Sequence, residues 1–334
     1  MVKYKSMCII GNLNKKSGSE KMDMYQKRKN RQEMKSNENK DEMQNKMNIN
    51  WYPGHMAKTR RQIIEDLKLI DVVVELLDAR IPISSRNPDI REITKNKKKI
   101  ILLNKSDLSD DSVNTKWVSY FSKEAKTILT DANSGRGINQ LTKAIDELMV
   151  EEKARQAARG RINKTTRVMI LGIPNVGKSS LINRLSKRNT TEVGNRPGVT
   201  KQKQWIRISK DQELLDTPGV LWPKFENNKV ALNLAYTGTI KDDILERTEV
   251  AYELLKKLYE EYLENLKQRY KLTDEEIENV KSEEENFIYG LMKLIARKRG
   301  ALVSGGEVDD EKVSGIIIDD FRTGKLGKIS LERP

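Results

Sequence analysis

The 334-residue chain has one cysteine, Cys8, and one histidine, His55. A single cysteine excludes a disulfide framework and fits a reducing cytosol. No apolar run approaches the ~18 residues that a membrane span requires. Met7-Cys-Ile-Ile10 is too short for the apolar heart of a secretory leader. Glu20, Asp23, Glu33, Glu38, Asp41 and Glu42 make the same stretch too acidic for a transit peptide. These absences predict a soluble, cytoplasmic protein.

What is abundant is charge. Charged residues make up 34% of the chain and hydrophobic residues 37%, with a net charge of +14. That excess fits a polyanionic partner such as nucleic acid, and fits equally a generally lysine-rich proteome. The length allows about two domains. Residues 1–48 are rich in Lys, Asn, Gln and Glu without hydrophobic periodicity, and hold seven of the eleven methionines. Such a segment cannot bury enough apolar surface to offset ordering entropy, so it is expected to be a disordered basic tail. Functional translation is expected to start at Met43 or Met47.

One stretch organises the remainder. Arg167-Val-Met-Ile-Leu-Gly172 is an apolar strand, Gly172-Ile-Pro-Asn-Val-Gly-Lys-Ser179 follows, and Ser180-Leu-Ile-Asn-Arg-Leu185 has helical periodicity. Strand, glycine loop and helix in that order form a phosphate-binding loop. Backbone N–H groups of Asn175, Val176, Gly177, Lys178, Ser179 and Ser180 can converge on phosphate oxygens, aided by the helix N-terminus. Lys178 would reach the β- and γ-phosphates, and the Ser179 hydroxyl would hold Mg²⁺.

Two strands precede this loop, Asp71–Asp78 and Lys99–Leu103, and the second delivers Asn104-Lys-Ser-Asp107. A carboxylate at Asp107 can accept both the N1–H and the 2-amino hydrogens of guanine, a pattern adenine does not offer. Asn104 would brace the loop and reach the base edge, and the stem of Lys105 would lie along the ring. A third strand, Lys126–Thr130, leads to Asp131-Ala-Asn-Ser-Gly135, where Ala132 and Asn133 would place a backbone N–H at the guanine 6-oxo group. After the phosphate loop, Thr200 is a second Mg²⁺ ligand and γ-phosphate sensor. Strands at 203–208 and 213–215 then deliver Asp216-Thr-Pro-Gly219. Asp216 would hold Mg²⁺ through water and the Gly219 N–H would meet the γ-phosphate. The fold class expected is α/β, a mostly parallel sheet with helices on both faces over 49–226. A small all-α part over 227–334 follows.

The order of the motifs is unusual, because base recognition comes before phosphate binding. In this the chain resembles the circularly permuted GTPases, and most closely the ribosome biogenesis GTPase A family. The resemblance rests on Trp51-Tyr-Pro-Gly-His-Met-Ala-Lys58, Leu76-Leu-Asp-Ala-Arg80, Asn104–Asp107, Gly172–Ser179, Asp216–Gly219 and Asp319-Asp-Phe-Arg-Thr-Gly-Lys-Leu-Gly327. It implies a GTPase, cycling between GTP and GDP, that assists a late step in maturation of the large (50S) ribosomal subunit. It would bind the precursor particle and its rRNA with GTP and leave after hydrolysis. A monomer without membrane contact is expected.

The glutamine that many GTPases carry after Asp-x-x-Gly is replaced by Val220. The resemblance offers His55 as the catalytic substitute, set against a purely structural role. It also offers K⁺ held beside Asn175 as an activator stabilising transition-state charge, set against simple bracing by Asn175. Arg297, Lys298, Arg299, Arg322, Lys325 and Lys328 would grip rRNA phosphates or simply face solvent. Two other readings are a metabolic P-loop kinase and a nucleotide-switched RNA-binding scaffold with negligible turnover. Asn104–Asp107 argues against the first, and Lys178, Ser179, Thr200 and Asp216 against the second.

Overall fold

The computed structural model describes residues 54–160, 164–187, 205–215, 227–240 and 246–334, with side chains described from Lys58. The first helix, α1 (Gly54–Leu67), is followed by strand β1 (Val72–Asp78). Every residue of β1 is buried, as an apolar strand covered on both faces requires. Then come α2 (Pro88–Ile93), β2 (Lys98–Asn104), α3 (Asp111–Phe121), β3 (Lys126–Leu129) and α4 (Ile138–Ala158). After α4 the chain enters β4 (Thr166–Gly172), α5 (Lys178–Lys187) and the antiparallel pair β5 (Trp205–Ser209) and β6 (Gln212–Leu215).

The sheet order is β3-β2-β1-β4-β6-β5, and every pair except β5–β6 is parallel. Alternate residues of β1 and β4 face opposite layers. On one face Val73, Met169 and Leu171 meet Ile63 and Leu67 of α1. On the other, Val72, Val74, Val168 and Ile170 share a cluster with Leu141, Ile145 and Met149 of α4. At one end of the sheet Leu77, Ile101 and Leu103 pack on Val113, Trp117 and Phe121 of α3. The order reverses between β1 and β4, so the loops after β2, β3 and β4 meet at the carboxyl edge of the sheet. Open α/β sheets bind ligands at such a crevice.

The helical part comprises α6 (Asn228–Tyr236), α7 (Arg247–Glu261), α8 (Leu263–Tyr270), α9 (Asp274–Glu283), α10 (Phe287–Arg299) and α11 (Asp310–Arg322). The periodicity of Ala251, Leu254, Leu255, Leu258 and Tyr262 predicts one helix from Thr248 to Tyr270. The structure breaks it at Tyr262, where φ is −140° and ψ 39°. The reason lies at the chain's end: the Tyr262 hydroxyl donates to the Ser330 carbonyl (2.9 Å) and accepts the Ser330 N–H (3.0 Å). Thr273-Asp-Glu-Glu276 has the spacing of a helix N-terminal cap, and the structure closes it as a reciprocal box between Thr273 and Glu276.

The described residues pack as one compact unit, and one apolar cluster extends from Val72 in the sheet to Leu331. The last residues form a strap across the sheet's carboxyl edge. Ile329 N–H donates to the Leu108 carbonyl (2.9 Å), Leu331 N–H to the Arg80 carbonyl (2.9 Å) and Asp110 N–H to Ser330 Oγ (3.1 Å). The Glu332 carboxylate accepts from Ile83 N–H (2.7 Å) and from Asn233 Nδ2 (3.1 Å) of α6. Among the described residues no helix is long and apolar enough to cross a membrane.

Candidate guanine-nucleotide site

The loops at the carboxyl edge enclose an open cleft of about 660 Å³. One wall is Asn104, Lys105, Asp107, Asp131, Ala132 and Asn133, from the loops after β2 and β3. The other is Asn175, Gly177, Lys178, Ser179 and Ser180, from the loop after β4 and the start of α5. Two loops far apart in sequence therefore share one cavity of the size that holds a small-molecule ligand.

Asn104, the buried last residue of β2, ties three segments together. Its Nδ2 donates to the Val176 carbonyl in the phosphate loop (2.8 Å), while its Oδ1 accepts from Ala132 N–H (3.0 Å) and Thr130 Oγ1 (3.3 Å). Both ends of its amide are engaged in bracing. Gly177 permits this approach: it has φ +99°, and a Cβ there would lie 2.3 Å from Asn104 Nδ2. Lys105, at φ 59°, donates to the Asn175 carbonyl (2.7 Å) and lies 3.2 Å from Asp78.

Beneath this bracing lies a buried ion pair. Asp78 accepts from Arg80 Nε (3.0 Å), Nη2 (2.8 Å) and backbone N–H (3.0 Å). Burial alone would raise the Asp78 pKa, but the Arg80 and Lys105 cations hold it well below the usual carboxylate range. The Arg80 guanidinium also lies over the Phe321 ring of α11, 5.0 Å from its centroid. Asp78 and Arg80 belong to the Leu-Leu-Asp-Ala-Arg80 motif, for which the sequence suggested no role. The signal was an acid at the last position of a buried strand with an arginine two residues on.

Asp107 is exposed at the mouth of the cleft. Partial desolvation raises its pKa, and the like charges of Asp131 and Asp78 add to the rise, against a backbone hydrogen bond that lowers it. Ala132 and Asn133 line the cleft as expected, but their amides are already engaged. Ala132 N–H donates to Asn104, and Asn133 N–H to Asp131 Oδ1 (2.8 Å). Burial opposes ionisation of Asp131, yet donors from Ser134, the Asn133 and Ser134 backbone and the charge of Arg184 hold its pKa low. An N–H offered to the guanine 6-oxo group requires one of these bonds to be exchanged. Val176 buries its side chain in the core and can face a nucleotide only through its backbone.

The six basic residues named as rRNA contacts are placed differently. Arg297, Lys298 and Arg299 are exposed at the end of α10, with Lys298 paired to Glu276. Lys325 is exposed near Asp320 (3.7 Å), and Lys328 pairs with Asp111 beside the base-reading loop. Arg322 differs from the expectation of an RNA-facing residue, because it lines the nucleotide cleft. It donates through Nη2 to the Ala235 carbonyl (2.8 Å) and through Nε to Tyr236 (3.1 Å). The physical reason is that carbonyls ending α6 have no intrahelical donors. Leu108, Ile173 and Pro174 also line the cleft and were not singled out from the sequence. Thr200, Asp216 and Gly219 lie outside the described residues, as does the His55 side chain, although His55 itself is in the first turn of α1.

Residues 167–293 match a family model described as a 50S ribosome-binding GTPase. Ribosome biogenesis GTPase A of Bacillus licheniformis is 49% identical over 289 residues, covering 86% of this chain and 99% of the relative. The chain belongs to the ribosome biogenesis GTPase A family. The Thermotoga maritima member is 31% identical over 286 residues, covering 86% of this chain and 95% of that protein. The GDP-bound structure of T. maritima YlqF aligns with TM-score 0.57 and 27% identity, covering 82% of this chain and 99% of that one. The GNP-bound structure aligns with TM-score 0.56 and 28% identity, covering 83% and 98%.

Membership makes this chain a circularly permuted P-loop GTPase. Such GTPases use Mg²⁺, and the described residues fit it. Ser179 is exposed on the cleft at the start of α5. Mg²⁺ keeps several waters and takes few protein ligands, so a single hydroxyl beside the phosphates is compatible.

Proposed function

We propose that this GTPase acts in a late step of large (50S) ribosomal subunit maturation, binding the precursor particle in the GTP state and leaving after hydrolysis. The observation that carries the reading is the shared cleft: the guanine-reading loop 104–107 and the phosphate loop 172–179 face one cavity, cross-braced by Asn104. Asp107 accepts the guanine N1–H and 2-amino hydrogens, and the Lys105 stem flanks the ring. Lys178 and the amides of 175–180 hold the phosphates. Ser179, Thr200 and Asp216 would hold Mg²⁺, which would neutralise charge on the phosphate oxygens, and the Gly219 N–H would sense the γ-phosphate.

Val220 cannot orient water, so hydrolysis is slow in isolation. His55 would supply that role on the ribosomal particle, and Asn175 would hold K⁺, whose charge would stabilise the transition state. Residues 49–226 form the GTPase part and 227–334 the rRNA-binding part, with Arg297, Lys298, Arg299, Lys325 and Lys328 meeting phosphates. The protein works as a monomer in the cytoplasm. The test is GTP hydrolysis with and without purified large subunits, in potassium and in sodium. Stimulation by the subunit that is lost in sodium supports the reading. Tight GTP binding without stimulation would favour the low-turnover RNA-binding scaffold, which Val220 alone supports.

A further inference from the structure

Arg322 sits at the last turn of α11, yet its side chain reaches the nucleotide cleft. Its two nitrogens clamp the carbonyls of Ala235 and Tyr236, which end α6. Two residues on, Gly238 turns the chain with φ +74°, and a Cβ there would lie 3.2 Å from Arg322 Cζ. The Gly238 carbonyl in turn accepts from Asn175 Nδ2 in the phosphate loop (2.6 Å). A carbonyl can be satisfied only by the NH₂ end of the Asn175 amide. The Gly238 carbonyl therefore decides which way round the amide sits and leaves Oδ1 as its acceptor. Asn175 itself lies in the left-handed region at φ 59°, so its backbone is set by the loop and its amide by this contact.

We propose that Arg322 is a positioning residue for the phosphate loop, acting through the Ala235–Gly238 turn to hold the Asn175 amide in one orientation. The fork matters as much as the charge, because one planar guanidinium spans two adjacent carbonyls that a lysine meets singly. The relay links the last helix to the phosphate loop through three short contacts. It gives the helical part a handle on the catalytic end of the cleft. The proposal rests on the reading that Asn175 serves the nucleotide phosphates.

The test compares Arg322→Ala, Asn175→Ala and the double variant in the full chain with large subunits present. Subunit-stimulated GTP hydrolysis is measured in potassium and in sodium, and GDP affinity separately. The expected result is a severalfold loss of hydrolysis in Arg322→Ala that matches Asn175→Ala and is no larger in the double variant, with GDP affinity retained. Losses that multiply in the double variant would overturn the proposal while leaving the reading of Asn175 intact, as would a fall in GDP affinity that tracks the fall in rate. No loss in Asn175→Ala alone would remove that reading and the proposal with it. Arg322→Lys provides a milder variant that keeps the cation, and a partial loss is expected. Wild-type rates in Arg322→Lys would overturn the role given to the fork.

Discussion

The two ends of the cleft are built differently. The base-reading end is assembled from the sheet's own strand ends: Asn104 closes β2, Asp78 closes β1, and their side chains are buried and fully engaged with neighbouring loops. The phosphate end starts from β4 and meets the helical part within its own loop, through Gly238 and Arg322, whereas the base end meets the C-terminal part beneath and beside its loop, through Phe321 and the strap. A base end braced by buried strand-end side chains suits a task that does not change through a nucleotide cycle. A phosphate end tied to a separate group of helices suits one that must report whether the γ-phosphate is present.

The sharpest way to break the contrast is at the buried pair beneath both ends. Asp78→Asn leaves Arg80 charged and buried, which should cost roughly 3–5 kcal/mol of stability, read by denaturant unfolding. Its pH behaviour follows the sign of the shift. With the folded pKa depressed, the pair's contribution is present above the ordinary value of 3.8 and is lost only as pH falls through the lower folded value. A smaller effect concerns Asp107, whose pKa is raised, so its carboxylate is lost earlier on acidification than an ordinary aspartate's. GDP affinity, measured by titration across the acid range, should fall accordingly, and Asp107→Asn should remove that dependence. The smallest change tests whether the strap stiffens the base end. Ser330→Ala removes the acceptor for Asp110 N–H and should cost about 1 kcal/mol. Hydrogen exchange should then increase around 105–111 and stay unchanged around Asn175.

Much of the base end was legible in the sequence because its signals are local. An apolar run ending in Asn-Lys-Ser-Asp107 declares both a strand and its ligand loop, and β1 to β4 lie within about a residue of the limits read from periodicity. The strap was not legible. Ser330 and Glu332 bond to segments far earlier in the chain, and no period or turn residue announces such pairings. The break at Tyr262 escaped for the same reason, since the group that rewards it is Ser330. Arg322 looked like one more surface cation in a basic tail. Only the fold brings it beside the carbonyls of Ala235 and Tyr236 and so to the phosphate loop.

The measurement that goes most directly to the account is nucleotide preference of Asp107→Asn. If the cleft reads guanine through the Asp107 carboxylate, the variant should lose GTP affinity and gain affinity for xanthosine triphosphate, whose 2-oxo group accepts where guanine's amino group donates. Competition of each nucleotide against a fluorescent guanine nucleotide would register the exchange. Unchanged preference for GTP in the variant would contradict the assignment of Asn104–Asp107 as the base-reading loop.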